Sequence, residues 1–480
     1  MIQRISYTFL LCLLTVFSCM SQTHLPSFFG DNMILQQKDS VKIWGEDLPH
    51  KTIVIQTAWG SMASGITNNE GKWELKIKTP SASSVPQTIT ITGSSSIKLK
   101  NVLIGEVWFC SGQSNMEMPM KGFANSPVLR YNEFILDAAN SKIRLFKAER
   151  QIGLHPVNDI VGSWTEATPA SVKDFSAVAY LFAKKLQRVL KIPIGVICSS
   201  WGGTKIKGWT SKEALKKYDF IEFPTSLPTI EKEKRETPTL LYNGMINPFI
   251  GYGIKGILWY QGETDRLEYE KYKILMPNLV ESWRNKWDKQ SMPFYFVQIA
   301  PYDYSLRNKT KKPIGALLRE AQLHSFLKMH NTGMVVTADV GDCNDIHPLE
   351  KEIVATRLAY LTLAKDYGFT QIIAQSPFYK SMKINENKIE LTFDDYTTAE
   401  GNGLTSYKKE LTGFVIAGKD KVFYPAKAII TTDKKVEVYS EKVKNPEAVR
   451  YGFENCFQAT LFNTANLPAS PFRTDNWDFE

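Results

Sequence analysis

Three regimes of hydrophobic patterning follow one another along the chain. From about residue 22 to 103, apolar and polar positions alternate. Val41-Lys42-Ile43-Trp44-Gly45, Lys51 to Gln56 and Gln87 to Thr92 repeat with the period of two expected of half-buried strands. Asn69-Glu70-Gly71-Lys72-Trp73 reads as a hairpin turn entering a strand, so this segment predicts a small β-sandwich. From about 104 to 370, short apolar runs alternate with amphipathic stretches. Val102 to Phe109, Ile194 to Ser199, Gly256 to Gln261, Phe294 to Ile299 and Met334 to Ala338 are candidate strands. Ala177 to Leu190, Tyr269 to Trp287, Ile314 to His330 and Pro348 to Lys365 are candidate helices. Strands separated by helices of this length imply βαβ units and a parallel sheet, whose ligands bind at the carboxyl ends of the strands. From 371 to 480 short strand candidates return: Lys388 to Phe393, Gly413 to Ala417 and Lys427 to Thr432. A loop is expected from Asp394 to Thr405, and a charged, solvated linker from Glu231 to Pro238. The expectation is an α/β domain between β-rich N-terminal and C-terminal regions.

Residues 1–21 stand outside this scheme. Arg4 precedes an apolar run from Tyr7 to Cys19, the layout of a secretory signal. The run is too short for a transmembrane helix. Val16-Phe17-Ser18-Cys19 also resembles a bacterial lipoprotein box, which would make residues 1–18 the leader and Cys19 a lipid anchor. The expected location is therefore secreted, periplasmic or outer-membrane lipoprotein of a bacterium, with no transmembrane span. Cys110, Cys198, Cys343 and Cys456 remain after such a leader. Cys110 and Cys198 end apparent central strands, and reduced, structural cysteines are the favoured reading.

Composition narrows the class. The chain has 480 residues, 43% hydrophobic and 22% charged, as ordinary globular proteins do. The net charge of +9 is spread without a basic block, so no nucleic-acid partner is expected. No histidine or cysteine cluster has metal-ligand spacing, so neither metal nor cofactor is expected.

The chemistry gathers at four strand ends. Ser114 lies on a Gly-flanked turn, Ser111-Gly112-Gln113-Ser114-Asn115-Met116, after a buried strand. A glycine turn there lets a hydroxyl project clear of the sheet, as nucleophilic serines do, although the spacing is not Gly-x-Ser-x-Gly. Ser200-Trp201-Gly202-Gly203-Thr204 offers paired glycines whose amides can face a ligand. Trp259-Tyr260-Gln261-Gly262-Glu263 places a carboxamide where it could donate to an oxyanion. Asn344-Asp345-Ile346-His347-Pro348 opens a helix with a carboxylate two residues before an imidazole. Of the six histidines, His347 alone has that setting. Each segment has a plain reading as a polar turn or helix cap, but nucleophilic hydrolysis explains all four together. In it Ser114 attacks, His347 takes the proton and Asp345 orients the imidazole. The amides of Ser114 and of Gly202 or Gly203, with the Gln261 side chain, hold the oxyanion. Asn115, Trp201 and Glu263 are expected to face substrate.

These four blocks, with Leu241-Tyr242-Asn243-Gly244-Met245-Ile246, resemble the sialate O-acetylesterase family of the SGNH/GDSL hydrolase superfamily. The resemblance covers most of the chain after residue 21. It implies a flavodoxin-like three-layer α/β/α catalytic domain over 104–370, a metal-free mechanism, and hydrolysis of acetyl esters on sialic acid or another O-acetylated glycan. Two departures from the wider superfamily are visible. Asp345-x-His347 replaces Asp-x-x-His, with Asn344 at the three-before position and Asp342 as a spare acid, so a Ser-His dyad stays open. Gln261 stands where Asn is usual. Both match the sialate esterase subgroup.

Related proteins also deacetylate plant hemicellulose, so xylan or xyloglucan acetyl esters are the competing substrates. Trp201, Trp209 and Trp259 could wall a sugar site. Lys205, Lys207 or Arg266 could meet a carboxylate. A non-catalytic carbohydrate-binding surface protein is the reading from another class, and the intact Ser114, His347 and Gln261 speak against it.

Overall fold

The computed structural model describes residues 22–308, 310, 312–394 and 403–479. The leader expected over residues 1–21, with Cys19, lies outside the described residues, as does most of the loop expected from Asp394 to Thr405. Among the described residues the chain is a mixed α/β structure built on a large mixed sheet of eleven strands.

Seven strands carry the centre of that sheet: β1 (Ser96–Gly112), β2 (Asn140–Lys147), β3 (Trp164–Ala167), β4 (Ile194–Ser200), β5 (Gly256–Tyr260), β6 (Phe294–Val297) and β7 (Thr332–Val335). Their order is β7-β6-β5-β1-β4-β2-β3. Every neighbouring pair is parallel except β2 and β3. The long crossovers hold helices α1 (Ala177–Leu190), α2 (Tyr269–Lys286), α3 (Ile314–Lys328) and α4 (Lys351–Asp366). Parallel strands require such crossovers, and both faces of the sheet are then covered.

The period of two sorts the strand residues between two cores. Phe109, Ile257, Trp259, Phe294 and Phe296 pack with Leu275, Met276, Leu279 and Trp283 of α2 and Leu318 of α3. Trp108, Cys110, Leu258, Tyr260 and Tyr295 face the other way. They meet Phe182 and Leu186 of α1 and Val354 and Leu358 of α4. β4, β5, β6 and β7 are buried throughout, which explains why they read as unbroken apolar runs.

β1 is one strand of 17 residues. Its first half pairs antiparallel with Ser83–Thr92 and parallel with Ile34–Gln36, and its second half is the middle of the central sheet. The boundary expected between 103 and 104 falls inside this strand. Ile53, Ile55, Ile89 and Ile91 of the N-terminal strands share a core with Phe109 and Ile257. At the other end of the chain, Tyr379–Asn385, Lys388–Phe393, Lys427–Ile430 and Val436–Tyr439 form an antiparallel sheet. Its core of Ile389, Leu391, Ile416, Val436 and Val438 is separate. The expected linker from Glu231 to Pro238 contains a short exposed helix, Glu231–Glu236.

The cysteine expectation holds for one pair and fails for the other. Cys110 and Cys198 are buried, free thiols, paired in register across β1 and β4. Cys343 and Cys456, 113 positions apart in sequence, form a disulfide. Both lie in irregular segments distant in sequence, so no local pattern announced the bond.

Candidate functional site

Register brings three loops to one level. Gly112, the last residue of β1, pairs with Ser200 of β4 on one side and Tyr260 of β5 on the other. The loops carrying Ser114, Gly202 and Gln261 therefore leave the sheet side by side. Gly112 sits at φ +138, and a Cβ there would lie 2.2 Å from the Tyr260 carbonyl, so only glycine can turn at this point. The turn is then fixed by the Gln113 amide donating to the Tyr260 carbonyl at 2.9 Å and the Trp201 amide donating to the Gly112 carbonyl at 3.1 Å. Ser114 opens a four-residue helix, Ser114–Glu117, with its side chain half-buried.

The fourth loop follows β7 and reaches back over this edge. His347 Nε2 stands 3.0 Å from Ser114 Oγ, though the two residues are 233 positions apart. The Phe123 ring lies edge-on to the imidazole at 5.1 Å and walls one side of it. Asp345 Oδ1 accepts the His347 backbone N–H at 2.9 Å and is 3.5 Å from Nδ1. That carboxylate thus shapes the loop first and faces the imidazole beyond hydrogen-bond length. Asp342, the spare acid, accepts from the Asn344 amide at 2.8 Å.

The expected oxyanion donors fall in three different places. Gly202 is packed against the nucleophile: a Cβ on it would be 3.2 Å from that of Ser114. Its amide donates to Glu117 Oε2 at 2.7 Å, and the same carboxylate is held by Arg150. Gly203 follows at φ +73, under the Arg235 guanidinium. Gln261 is fully buried, and its Nε2 donates to the Thr204 carbonyl and to Asp265 Oδ2. Both amide hydrogens are spent inside the protein, so the Gln261 side chain holds the loops together rather than facing Ser114.

Asn115 and Glu263 do not line a substrate space either. Asn115 is 1% exposed, Glu263 2% and Lys351 0%. Asn115 Nδ2 donates to Glu263 Oε1 at 2.7 Å, and Lys351 Nζ donates to Asn115 Oδ1 at 2.6 Å. Burial pushes the Glu263 carboxyl up and the Lys351 ammonium down to about 7. Lys351 was not foreseen: it begins α4 four residues after His347, and nothing in its spacing distinguishes it from a surface lysine.

Trp209 and Trp259 are fully buried against each other, ring centroids 6.0 Å apart, so neither can stack on a sugar. Trp201 lies beneath the Arg150 guanidinium at 5.5 Å. Of the expected cations, Lys205 pairs with Glu268 and Glu236, and Arg266 donates to the Glu263 carbonyl and Asn308. Arg150 and Arg235 are the guanidiniums beside the Gly202-Gly203 turn. Glu117, Arg150, Ser176, Cys198 and Ser200 line part of a cleft of about 690 Å³ next to that turn. Among the described residues, no group of three or more His, Cys, Asp or Glu side chains could hold a metal ion.

Residues 104–356 match the family described as carbohydrate esterase, sialic acid-specific acetylesterase. The chain is 28% identical to the sialate O-acetylesterase of Mus musculus over 432 residues, 77% of this chain and 78% of that one. It is 28% identical to the Homo sapiens sialate O-acetylesterase over 405 residues, 76% of each. A crystal structure of a carbohydrate acetylesterase from Xanthomonas citri is 32% identical and superposes with a TM-score of 0.85, covering 95% of this chain and 100% of the other.

Proposed function

The chain belongs to the sialic acid-specific acetylesterase family of carbohydrate esterases, and from that premise we propose that it removes acetyl groups from O-acetylated sialic acid through an acyl-enzyme on Ser114. Ester hydrolysis on carbohydrate follows from the family. The sugar and the mechanism are our reading.

The contact of His347 Nε2 with Ser114 Oγ at 3.0 Å carries it. Ser114 Oγ attacks the acetyl carbonyl carbon while Nε2 takes its proton. The tetrahedral intermediate collapses by breaking the bond to the sugar oxygen, which leaves with that proton as a free hydroxyl. Water then gives a proton to Nε2, adds to the acetyl-serine, and acetate departs as Ser114 regains its hydrogen. Asp345 supports the imidazolium electrostatically and fixes the loop. The amides of Ser114 and Gly203 meet the oxyanion, because Gly202 and Gln261 donate elsewhere. Helices on both faces of the parallel sheet support the reading of a three-layer SGNH domain. The Cys343–Cys456 bond supports an oxidising compartment, in line with the leader over residues 1–21.

Arg235 favours an acidic sugar, since its guanidinium lies over the Gly202-Gly203 turn and can meet a carboxylate beside the nucleophile, whereas Arg150 is held by Glu117. Similarity to a carbohydrate acetylesterase favours a second reading, in which the sugar is a neutral acetylated glycan such as xylan or xyloglucan. Acetate release should be measured on O-acetyl sialic acids, acetylated xylan and acetylated xyloglucan, with Ser114→Ala in parallel. Fastest turnover on the sialic acids, abolished in Ser114→Ala, is the expected result. Preference for a neutral glycan would move the substrate to the second reading. Turnover by Ser114→Ala would end the serine mechanism, and no turnover by the folded protein would favour a binding role.

A further inference from the structure

We propose that Asn115 is a positioning clasp that holds the histidine loop against the nucleophile turn, and that Lys351 and Glu263 fix the orientation of its carboxamide. The inference rests on the reading that Ser114 and His347 perform the chemistry.

Asn115 follows Ser114 in the chain, and its side chain reaches the residue that precedes His347. Nδ2 donates to the Ile346 carbonyl at 3.1 Å as well as to Glu263 Oε1 at 2.7 Å. One carboxamide thus spans from the backbone beside the nucleophile to the backbone beside the base, across 231 positions. Nothing about an isolated asparagine dictates which end of its amide faces which partner. Here the partners do. As an ammonium Lys351 Nζ can only donate, and it meets Oδ1 at 2.6 Å. The Ile346 carbonyl can only accept, as does a Glu263 carboxylate. A flipped amide would set its N–H groups against the ammonium and its oxygen against two acceptors.

All three side chains are buried, where such hydrogen bonds strengthen and a mismatch costs most. Burying a lysine and a glutamate around one amide is expensive, as the downward displacement of Lys351 and the upward displacement of Glu263 show. Replacing buried charges by apolar groups of the same volume is often neutral or stabilising, so stability alone does not account for the arrangement. What the polar arrangement adds is a defined position for the Ile346-His347 peptide. Misplacement of a catalytic group by about 1 Å can cost on the order of 10²-fold in rate, so the geometry has a kinetic value that packing alone does not supply.

The test is steady-state kinetics on a chromogenic acetyl ester with the full chain, with active sites counted by labelling Ser114 with a fluorophosphonate. Asn115→Leu should lower kcat per labelled site by roughly 10²-fold with KM changed less than about threefold. Lys351→Met should lower it in the same sense, and the double variant should be no worse than the more damaged single one, because the groups act as one unit. Glu263→Gln keeps an acceptor at Oε1 and should hold kcat within about threefold, whereas Glu263→Leu should not. Should Asn115→Leu fail to fold, the Glu263→Gln and Glu263→Leu pair decides the matter. An unchanged kcat per labelled site in Asn115→Leu or Glu263→Leu, or losses that multiply in the double variant, would overturn the clasp while leaving the serine mechanism intact. Turnover in a parallel Ser114→Ala sample would remove the mechanism and the clasp together.

Discussion

Gly202 touches Ser114 so closely that an added methyl group would stand 3.2 Å from the serine Cβ and 3.1 Å from Glu117 Oε2. The contact joins the loop after β4 to the turn after β1. Neither neighbour can retreat freely: Ser114 is anchored through Gln113 to the Tyr260 carbonyl, and Glu117 is held by Arg150.

Gly202→Ala should therefore move the nucleophile by a few tenths of an ångström without unfolding the sheet. The expected outcome is a fall in kcat of about tenfold, with a melting temperature close to that of the native chain. Kinetics on a small acetyl ester beside a thermal melt check it. A normal kcat would mean that this close approach has no bearing on the reaction.

Asp345 offers a graded test of how much the acid matters. A carboxylate bonded directly to Nδ1 is worth about 10⁴ in kcat in serine proteases. Here Oδ1 is 3.5 Å from Nδ1 and is occupied by the His347 amide. Asp345→Asn keeps an oxygen for that amide and removes the charge. Its kcat should fall by about 10–10²-fold, well short of the protease figure. A loss near 10⁴ would show that the carboxylate closes on the imidazole during turnover, and no loss would reduce the site to a dyad.

The residues of the site illustrate what sequence could and could not reveal. Ser114, Gly202, Gln261 and His347 each end or follow an apolar run, and the rule that parallel sheets bind ligands at their carboxyl edge places them together. Helix positions were equally legible, because an amphipathic stretch of three or four turns has few alternatives. Side-chain direction was not. Gln261 and Trp259 sit at the expected edge yet point into the protein, where Asp265, Thr204 and Trp209 absorb them. Asn115, Glu263 and Lys351 come together only through tertiary packing of three segments distant in sequence. The break expected at 103/104 rested on a change of pattern, but β1 runs through that change as one strand. The Cys343–Cys456 bond was missed for a related reason: neither cysteine belongs to a periodic element.

That disulfide lies two residues before Asp345 and ties the histidine loop to the C-terminal region. The Tyr302-Asp303 segment bridges the two as well, the Asp303 amide donating to the Cys343 carbonyl and the Tyr302 amide to the Asn455 carbonyl. A cross-link enclosing this much chain restricts the unfolded state and is worth about 2–5 kcal/mol. The Cys343→Ser/Cys456→Ser double variant should melt several degrees lower. It should also lose more kcat than a distant destabilising variant of equal melting temperature, because the histidine loop loses its tether. Equal kcat at matched stability would confine the bond to a structural role.

Asp265 makes stability depend on pH in a direction opposite to that of most carboxylates. It is buried beneath the loop after β5, accepting from the Ile206 amide at 3.0 Å and from Gln261 Nε2. Burial pushes its carboxyl up to about 7, against hydrogen bonds that pull it down. An unfolded chain titrates the same group near 3.9. Between these values the folded state holds a proton that the unfolded state has released. Its contribution is therefore complete below about pH 4 and is lost as pH rises through about 7, with a slope on the order of 1 kcal/mol per pH unit. Asp265→Asn removes this titration and retains an oxygen to accept from Ile206. Other carboxylates cancel in the difference between the two proteins. The melting temperature of the variant minus that of the native chain should thus climb from pH 4 to 7 and level off above. A difference that falls over the same interval would mean that the two hydrogen bonds outweigh burial and that Asp265 is ionised in the native state.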